Sequence, residues 1–525
     1  MQSSRKNNSQ ESDKRTRAPV VQDYYTNDDY DNVMEKLPEI MREAELKSAN
    51  SLEPKLSEKR EIMKFIRQFI REKGRKVYGG TAINDLIKAK NQDDGIYDED
   101  FFSDIEFYSP TPVVDLIELT NAIYKAGYKN PEGAEAQHEG TYKVFVNYAP
   151  EYCDITYVPA HIYYGIKTIV VDGINYVDPH FIWIDQLRIF NDPLTSSRLW
   201  MKTFEREYKL LNYYPLEHYD KRINIPAVPK DIYDYQQLVK KEFLLSSKIV
   251  GNVIHSGFEA YNFYIKTAQS DPDVDKMARV ADKNINFNAL LANVPFIDIV
   301  ATEYRDTVLK LYAFLKENVE SPDALTTKEY FPLFQFRGYS IMFLYNDVPI
   351  IRVIDSNNMC IPNFYLKSGA KMCTFQYILM SMLINKFKAH LDKDKEMYFN
   401  YAIAISNLIK VRNYYLNSKN LTVVDKSPFA QFKISCSGKS MSFERQARLR
   451  RQKRIDAGKM IVFRYKPEDF FKKSEAEQAA FDPTKFIFPN TSGNIIIKET
   501  NLRFPTFDED SFNDEDSVYD EEPVE

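Results

Sequence analysis

The amino-acid sequence predicts an α+β fold built from two related modules, and three observations carry that prediction. Short apolar strands alternate with amphipathic helices from about 56 to 215. The same order of elements begins again near 246. Within the first run, a strand places two acids on one face, directly after a glycine-rich turn.

The elements follow in order. Residues 1–20 are polar and basic and read as disordered, and 21–55 read as a helical region. In 54–73, Ile62, Met63, Phe65, Ile66, Phe69 and Ile70 share one helix face, and Gly74 is a natural helix end. Lys76-Val77-Tyr78 is a short strand, Gly79-Gly80-Thr81 a turn, and 82–88 a helix. Asp93, Asp94, Asp98, Glu99 and Asp100 form an acidic stretch that reads as a solvated loop, because calcium-loop spacing is absent. The segment FFSDIEFYSP is the acid-bearing strand, followed by a helix over 113–128 and strands near 141–148 and 151–158. Apolar helices at 179–190 and 197–212 close the module. These patterns divide the chain into a catalytic domain at 56–215, a proline-bearing connection at 216–245 and a second module at 246–420. A C-terminal extension at 421–507 and an acidic, disordered tail at 508–525 follow.

In the second run, 248–262 matches the first strand, turn and helix, and FIDIVATEYRDTVLKLYAFLKEN matches FFSDIEFYSPTPVVDLIELTNAI. GYSIMFLYNDVPIIRVIDSN then matches GTYKVFVNYAPEYCDITYVP, and FQYILMSMLINKF matches FIWIDQLRIF. On this alignment Asp298 falls at the place of Asp104 and Val300 at that of Glu106. His255-Ser256-Gly257 replaces the glycine turn, and Arg352 falls near Asp154. The second module is therefore expected to be a degenerate copy.

Composition narrows the class. The formal charge of −6 includes ten acids and no base in 508–525, so the remainder carries +4. A mildly basic body permits a polyanionic partner without requiring one. No apolar run reaches the roughly 20 residues of a membrane span, and the N-terminus lacks an apolar secretory segment, so a soluble protein is expected. Cys153, Cys360, Cys373 and Cys436 show no zinc spacing; they read as isolated thiols of a reducing compartment.

The chemistry rests on three acids. Asp104 and Glu106 flank Ile105 and share a strand face; Asp154 lies in a later strand, opposite Cys153 and Ile155. Clustered carboxylates repel unless a cation joins them, and hard oxygen donors suit Mg²⁺. Three acids can hold two ions for in-line phosphoryl displacement. Gly79, Gly80 and Thr81 supply what a phosphate needs: close backbone approach and free N–H groups at a helix start. Lys202 and Arg206, four apart on one helix face, are candidates to hold triphosphate or primer oxygens, and a plain surface helix is the competing reading. The run at 445–454 carries six bases in ten residues, either an RNA-tracking segment or a solvated helix. Tyr142, Tyr148 and Tyr157 divide between base stacking and core packing, with packing favoured. The acidic tail is a candidate competitor of RNA for the basic surface.

A glycine-glycine turn, an acid-x-acid strand and a later strand acid together resemble the DNA polymerase β superfamily of nucleotidyltransferases. Over roughly 55–420 the chain more narrowly resembles the poly(A) polymerase catalytic subunits of large cytoplasmic DNA viruses, the poxvirus and mimivirus-like enzymes. The resemblance implies a polymerase β-like catalytic domain followed by a degenerate nucleotidyltransferase-like domain. It implies template-independent addition of AMP from ATP to the 3′-hydroxyl of mRNA, with release of pyrophosphate. Asp104, Glu106 and Asp154 are the implied catalytic and metal-binding residues, Gly79, Gly80 and Thr81 the nucleotide cradle, and two Mg²⁺ ions the cofactors, with Mn²⁺ as substitute. Glu106 stands where many members have Asp. The implied partners are the RNA 3′ end and ATP, in a homodimer as in mimivirus-like enzymes or with a separate processivity subunit as in poxviruses. The implied location is the virion and the host-cell cytoplasm. A different nucleotide or acceptor, or a non-catalytic RNA-binding scaffold, are the competing functions.

Overall fold

The computed structural model describes residues 25–51, 55–97, 104–147, 152–274, 285–458 and 462–482. Residues 1–20, Asp98, Glu99, Asp100, Tyr148 and the tail at 508–525, all singled out above, lie outside them. The chain forms two units, Met1–Lys64 and Phe65–Glu525. In the first, helix α1 (Asn27–Ser51) has no buried residue. The boundary falls inside α2 (Leu56–Lys73), whose Ile66, Phe69 and Ile70 are buried in the second unit. Gly74, at φ +60, ends α2; its N–H bonds the Arg71 carbonyl and that of Arg75 bonds Ile70.

The larger unit contains two eight-stranded sheets. The first takes β1 (Lys76–Tyr78), β2 (Ile105–Ser109), β3 (Glu132–Glu135), β4 (Thr141–Phe145), β5 (Cys153–Tyr157), β6 (Thr168–Val171) and β7 (Ile174–Val177). Its order is β3-β4-β5-β2-β1-β7-β6. The second takes β8 (Val253–Ser256), β9 (Ile297–Ala301), β10 (Leu325–Tyr330), β11 (Ser340–Tyr345), β12 (Val348–Asp355), β13 (Ile361–Tyr365) and β14 (Lys371–Cys373), in the order β10-β11-β12-β9-β8-β14-β13. These orders are the same strand for strand. The senses agree too: β2–β5 and β9–β12 are parallel, β1–β2 and β8–β9 antiparallel, β1–β7 and β8–β14 parallel. The duplication read from the sequence is therefore a duplication of topology.

Helices α3 (Gly79–Lys88) and α4 (Pro112–Lys125) pack on the first sheet. Alternation buries Ile105 and Phe107 and leaves Glu106 on the opposite face. In the second module, α8 (Lys230–Leu238) and the helix Tyr304–Asn318 bury Ile232, Tyr235, Val308, Leu311 and Leu315 against β9, β11 and β12. The modules meet through α6 (Pro179–Phe190) and its counterpart Phe375–Leu391, which pack on each other. Asp178 caps α6 by accepting from the N–H groups of His180 and Phe181, and Pro179 takes the first helical position. The loop 331–337 of the second module adds an aromatic seam: Phe334 meets Tyr108 edge-on at 5.6 Å, and Phe336 meets Phe181 at 5.1 Å.

Each sheet gains one further short strand from the C-terminal extension. β15 (Cys436–Ser437) pairs with β13, and β16 (Arg464–Tyr465) pairs with β3. A disulfide joins Cys360 to Cys436. This corrects the reading of four isolated thiols: 76 residues separate the two, and only the β13–β15 pairing brings them together. Cys153 and Cys373 are free and buried.

Candidate active site

Strand register assembles the site. In the β1–β2 pair Tyr78 stands opposite Glu106; in the parallel β2–β5 pair Glu106 stands opposite Asp154. Asp104 immediately precedes β2 on the face of Glu106. The three predicted acids thus come from two neighbouring strands. The turn above them is equally constrained. Gly79 has φ +68, and a Cβ there would collide with the Glu106 carboxylate. The Gly80 N–H donates to Glu106 Oε2 at 3.0 Å, and Thr81 Oγ1 donates to the Asp104 carbonyl at 2.9 Å. Helix α3 therefore begins directly over the carboxylates, with its N-terminal N–H groups turned to them.

The electrostatics single out one of the three acids as short of water. The Glu106 carboxyl is pushed up to about 7, first by burial, then by the negative charge of Asp104 and, more weakly, that of Asp154. The Gly80 N–H and the charge of Arg206 oppose that rise. Asp154 meets a cation from the protein itself, Lys143 Nζ at 3.2 Å, because Lys143 faces Asp154 across the β4–β5 pair. Among the described residues no three His, Cys, Asp or Glu side chains form a closed metal-binding group. The donor chemistry fits a hard divalent cation all the same. The mutual repulsion that lifts Glu106 is the kind a bound cation relieves, and all three donors are carboxylates.

Arg206, on α7 (Trp200–Tyr213), reaches this turn. Its Nη2 donates to Tyr97 Oη at 2.8 Å, and its guanidinium lies 5.4 Å from the Tyr97 ring centre. A Cβ on Gly80 would lie 3.1 Å from Arg206 Nη1. Lys202, one turn earlier, is exposed. The two residues predicted as a pair thus differ: Arg206 is built into the turn and Lys202 is on the surface. On the same helix Lys209 and Tyr213 each bond Asp94 at 2.8 Å, so part of the acidic stretch read as a solvated loop is anchored. Tyr142 is buried and packs on Phe463, and Tyr157 is half-buried. Sequence reasoning passed over Lys143, Tyr97 and Tyr78. Lys143 was open to detection, since it alternates with the buried Tyr142 and Val144 on the strand before Asp154.

The second module shows the same architecture with the chemistry removed, and it corrects the alignment by two residues. In β8–β9 Ser256 stands opposite Asp298, and in β9–β12 Asp298 stands opposite Arg352. Gly257, at φ +60, has no room for a Cβ, which would lie 2.5 Å from Asp298 Oδ2. Gly257 is thus the counterpart of Gly79, and Asp298 that of Glu106, not of Asp104. Phe296 takes the place of Asp104, Phe258 that of Gly80 and Glu259 that of Thr81. Arg352 does replace Asp154. The sequence alignment erred because both motifs contain an Asp-Ile pair, and local pattern does not reveal cross-strand register. Arg352 donates to both Asp298 oxygens, at 2.6 and 2.8 Å, and sits 5.0 Å from the centre of the Phe296 ring. A covalent guanidinium occupies the ground where the first module gathers acids. Glu259 is held down to about 2: burial opposes ionisation, but His255 and Lys240 bind the carboxylate and prevail. An anion thus stands in the first turn of the helix, where a phosphate would be repelled.

Known proteins match this chain on both modules. A family model described as poly(A) polymerase catalytic subunit matches residues 64–196, and one for the C-terminal part of the APMV poly(A) polymerase catalytic subunit matches 230–506. The poly(A) polymerase catalytic subunit of Acanthamoeba polyphaga mimivirus is 49% identical over 97% of this chain and 89% of its own. That of African swine fever virus (strain Badajoz 1971 Vero-adapted) is 29% identical over 43% of each chain. The crystal structure of the Megavirus polyadenylate synthase superposes with a TM-score of 0.84 at 48% identity, covering 91% of this chain and 94% of that one. The chain belongs to the poly(A) polymerase catalytic subunit family of nucleotidyltransferases.

Proposed function

We propose that this protein adds AMP from ATP to the 3′-hydroxyl of RNA without a template and releases pyrophosphate. The observation that carries the proposal is the register Tyr78–Glu106–Asp154, which sets a glycine-opened helix start directly above a carboxylate group. Gly79, Gly80 and Thr81 receive the triphosphate through close backbone approach and the positive end of the α3 dipole. Arg206 adds a fixed positive charge at the same turn. Asp104, Glu106 and Asp154 would hold divalent cations, Mg²⁺ or in its place Mn²⁺, which when bound would supply Lewis-acid activation and charge neutralisation. Lys143 contacts one Asp154 oxygen at 3.2 Å beside them. The remaining acceleration comes from orienting the two substrates in one cleft.

With this reading we also propose, on the sequence resemblance alone, mRNA as the acceptor, a homodimer or else a separate processivity subunit, and work in the virion and host cytoplasm. No helix among the described residues is long and apolar enough to cross a membrane. The deciding experiment is extension of a labelled RNA primer with each of the four NTPs separately, with Mg²⁺ and with Mn²⁺. ATP-dependent lengthening that disappears in Asp154→Ala is expected. Extension by another nucleotide would reassign the substrate. RNA binding without extension by the folded wild type would make the chain a scaffold.

A further inference from the structure

The C-terminal extension ties the two modules together, and it does so around a strongly basic helix. At one end β15 pairs with β13 and the disulfide fastens Cys436 to Cys360. At the other end β16 pairs with β3, at the edge of the catalytic sheet. Between them lies the helix Phe443–Asp456, started by the Ser442 side chain.

The bases of this helix divide into two sets by what they touch. Ala447 is buried, and Arg450 and Arg454, on the same face, dock the helix. Arg454 clasps Glu135 through both guanidinium nitrogens, at 2.6 and 2.8 Å. Arg450 donates to the Gln137 carbonyl and lies 3.9 Å from Glu139. Arg445, Arg448, Arg451 and Lys453 are exposed and make no ion pair among the described residues. Arg445, Arg448 and Arg451 are spaced by three, so they neighbour one another along the helix. Such like-charge neighbours repel one another on a helix face.

The docked face leads back to the carboxylates. Gln137, which Arg450 holds, precedes His138. Burial lowers the His138 pKa, and the positive charges of Arg188, Lys143 and Arg450 lower it further, against the opposing charge of Glu444. Lys143 in turn contacts Asp154. Glu444, in the first turn of the helix, lies within electrostatic reach of Arg198 and His138. The helix is docked on Glu135 of β3, and the neighbouring strand β4 carries Lys143 to Asp154, so the exposed arginines stand on the part of the sheet that leads to the candidate active site. Resting on the function proposed above, we infer that Arg445, Arg448 and Arg451 form a guide for the RNA backbone upstream of the reacting 3′ end, held in place by the clipped and strand-paired extension.

Three exposed cations spaced along a helix bind phosphates without reading bases, so the signature is salt dependence. The test compares wild type with R445A/R448A/R451A and with R445K/R448K/R451K. Binding of a labelled single-stranded RNA is measured from low to moderate salt by anisotropy, and unfolding confirms that each variant is folded. The alanine variant should bind at least tenfold more weakly at low salt. Its slope of log K against log salt should fall by about 2, at roughly 0.7 for each phosphate that is no longer neutralised. The lysine variant should keep most of the affinity, and KM for ATP should be unchanged in both. Unchanged RNA affinity and slope in the folded alanine variant overturns the guide. So does loss of binding to phosphatidylserine vesicles with RNA binding intact, which would make the surface a membrane contact. The RNA-binding readout does not depend on AMP addition. A wild type that binds RNA through these arginines but adds no AMP therefore fails the proposed function and leaves the guide standing.

Discussion

Asp298 and Arg352 form a buried, two-pronged ion pair in the second module, at the positions that Glu106 and Asp154 hold in the first. Two acids side by side repel each other, with Lys143 on Asp154 to offset part of it; an acid beside an arginine is matched within the pair. That exchange replaces a pair of carboxylates by a closed structural contact. Removing one partner leaves an uncompensated buried charge. We expect Arg352→Ala to lower unfolding free energy by about 3–5 kcal/mol. Asp298→Leu with Arg352→Met should cost far less than the two single changes together. Urea unfolding of wild type, Arg352→Ala, Asp298→Leu, Arg352→Met and the double variant measures this, and additive losses would contradict the pairing.

The two glycines at positive φ make a matched comparison. Gly79→Ala drives a Cβ into Glu106, and Gly257→Ala drives one into Asp298. Both should destabilise by roughly 1–3 kcal/mol from strain and displacement. Only the first should reduce AMP incorporation at permissive temperature, by about a hundredfold or more. Equal activity losses in the two variants would mean that the second module takes part in chemistry.

Asp104→Ala and Asp154→Ala should each lower the rate of AMP addition by about 10³-fold or more while melting near wild type. That corresponds to several kcal/mol of charge stabilisation supplied through bound metal. Wild-type-like extension by either variant would remove the metal assignment.

Arg206 and Lys202 are separated by one helical turn and by their surroundings. Arg206→Ala should raise KM for ATP about ten- to a hundredfold, since it removes a charge built into the Gly80 turn. Lys202→Ala should change it by less than about twofold. Steady-state kinetics at saturating primer distinguish them, and a reversed ranking would move the triphosphate elsewhere.

Glu207, on α7 beside Trp183 and Arg412, is pushed up to about 7 by burial, which those two neighbours only partly counter. A carboxyl raised in the fold binds its proton more tightly folded than unfolded. Its favourable contribution is therefore complete below the unfolded value near 4.5 and is lost as pH rises through 7. Glu207→Gln should stabilise the protein by about 1–3 kcal/mol at pH 8 and have little effect at about pH 4.5, at about 1.4 kcal/mol per pKa unit. A difference between variant and wild type that does not change over this range would show that folding leaves the Glu207 pKa unshifted.

Much of the local backbone geometry was legible in the sequence, though β3 and the β6–β7 hairpin were not. The two-residue period of a strand put Asp104 and Glu106 on one face, and Gly79-Gly80-Thr81 announced a strand that yields to a helix without side chains in the way. The order of elements disclosed the second copy, because that order repeats along the chain. Tertiary structure alone decided the register. Asp154 reaches Glu106 through a parallel pairing across 48 residues, and no local period encodes where two distant strands align. For the same reason the sequence alignment set Asp298 against Asp104, until the missing Cβ of Gly257 and the opposing Arg352 identified it as the counterpart of Glu106. The Cys360–Cys436 bond and the docking of Arg454 on Glu135 belong to this second kind as well. Each joins segments that only a sheet edge brings together, and there pairing geometry chooses the partners.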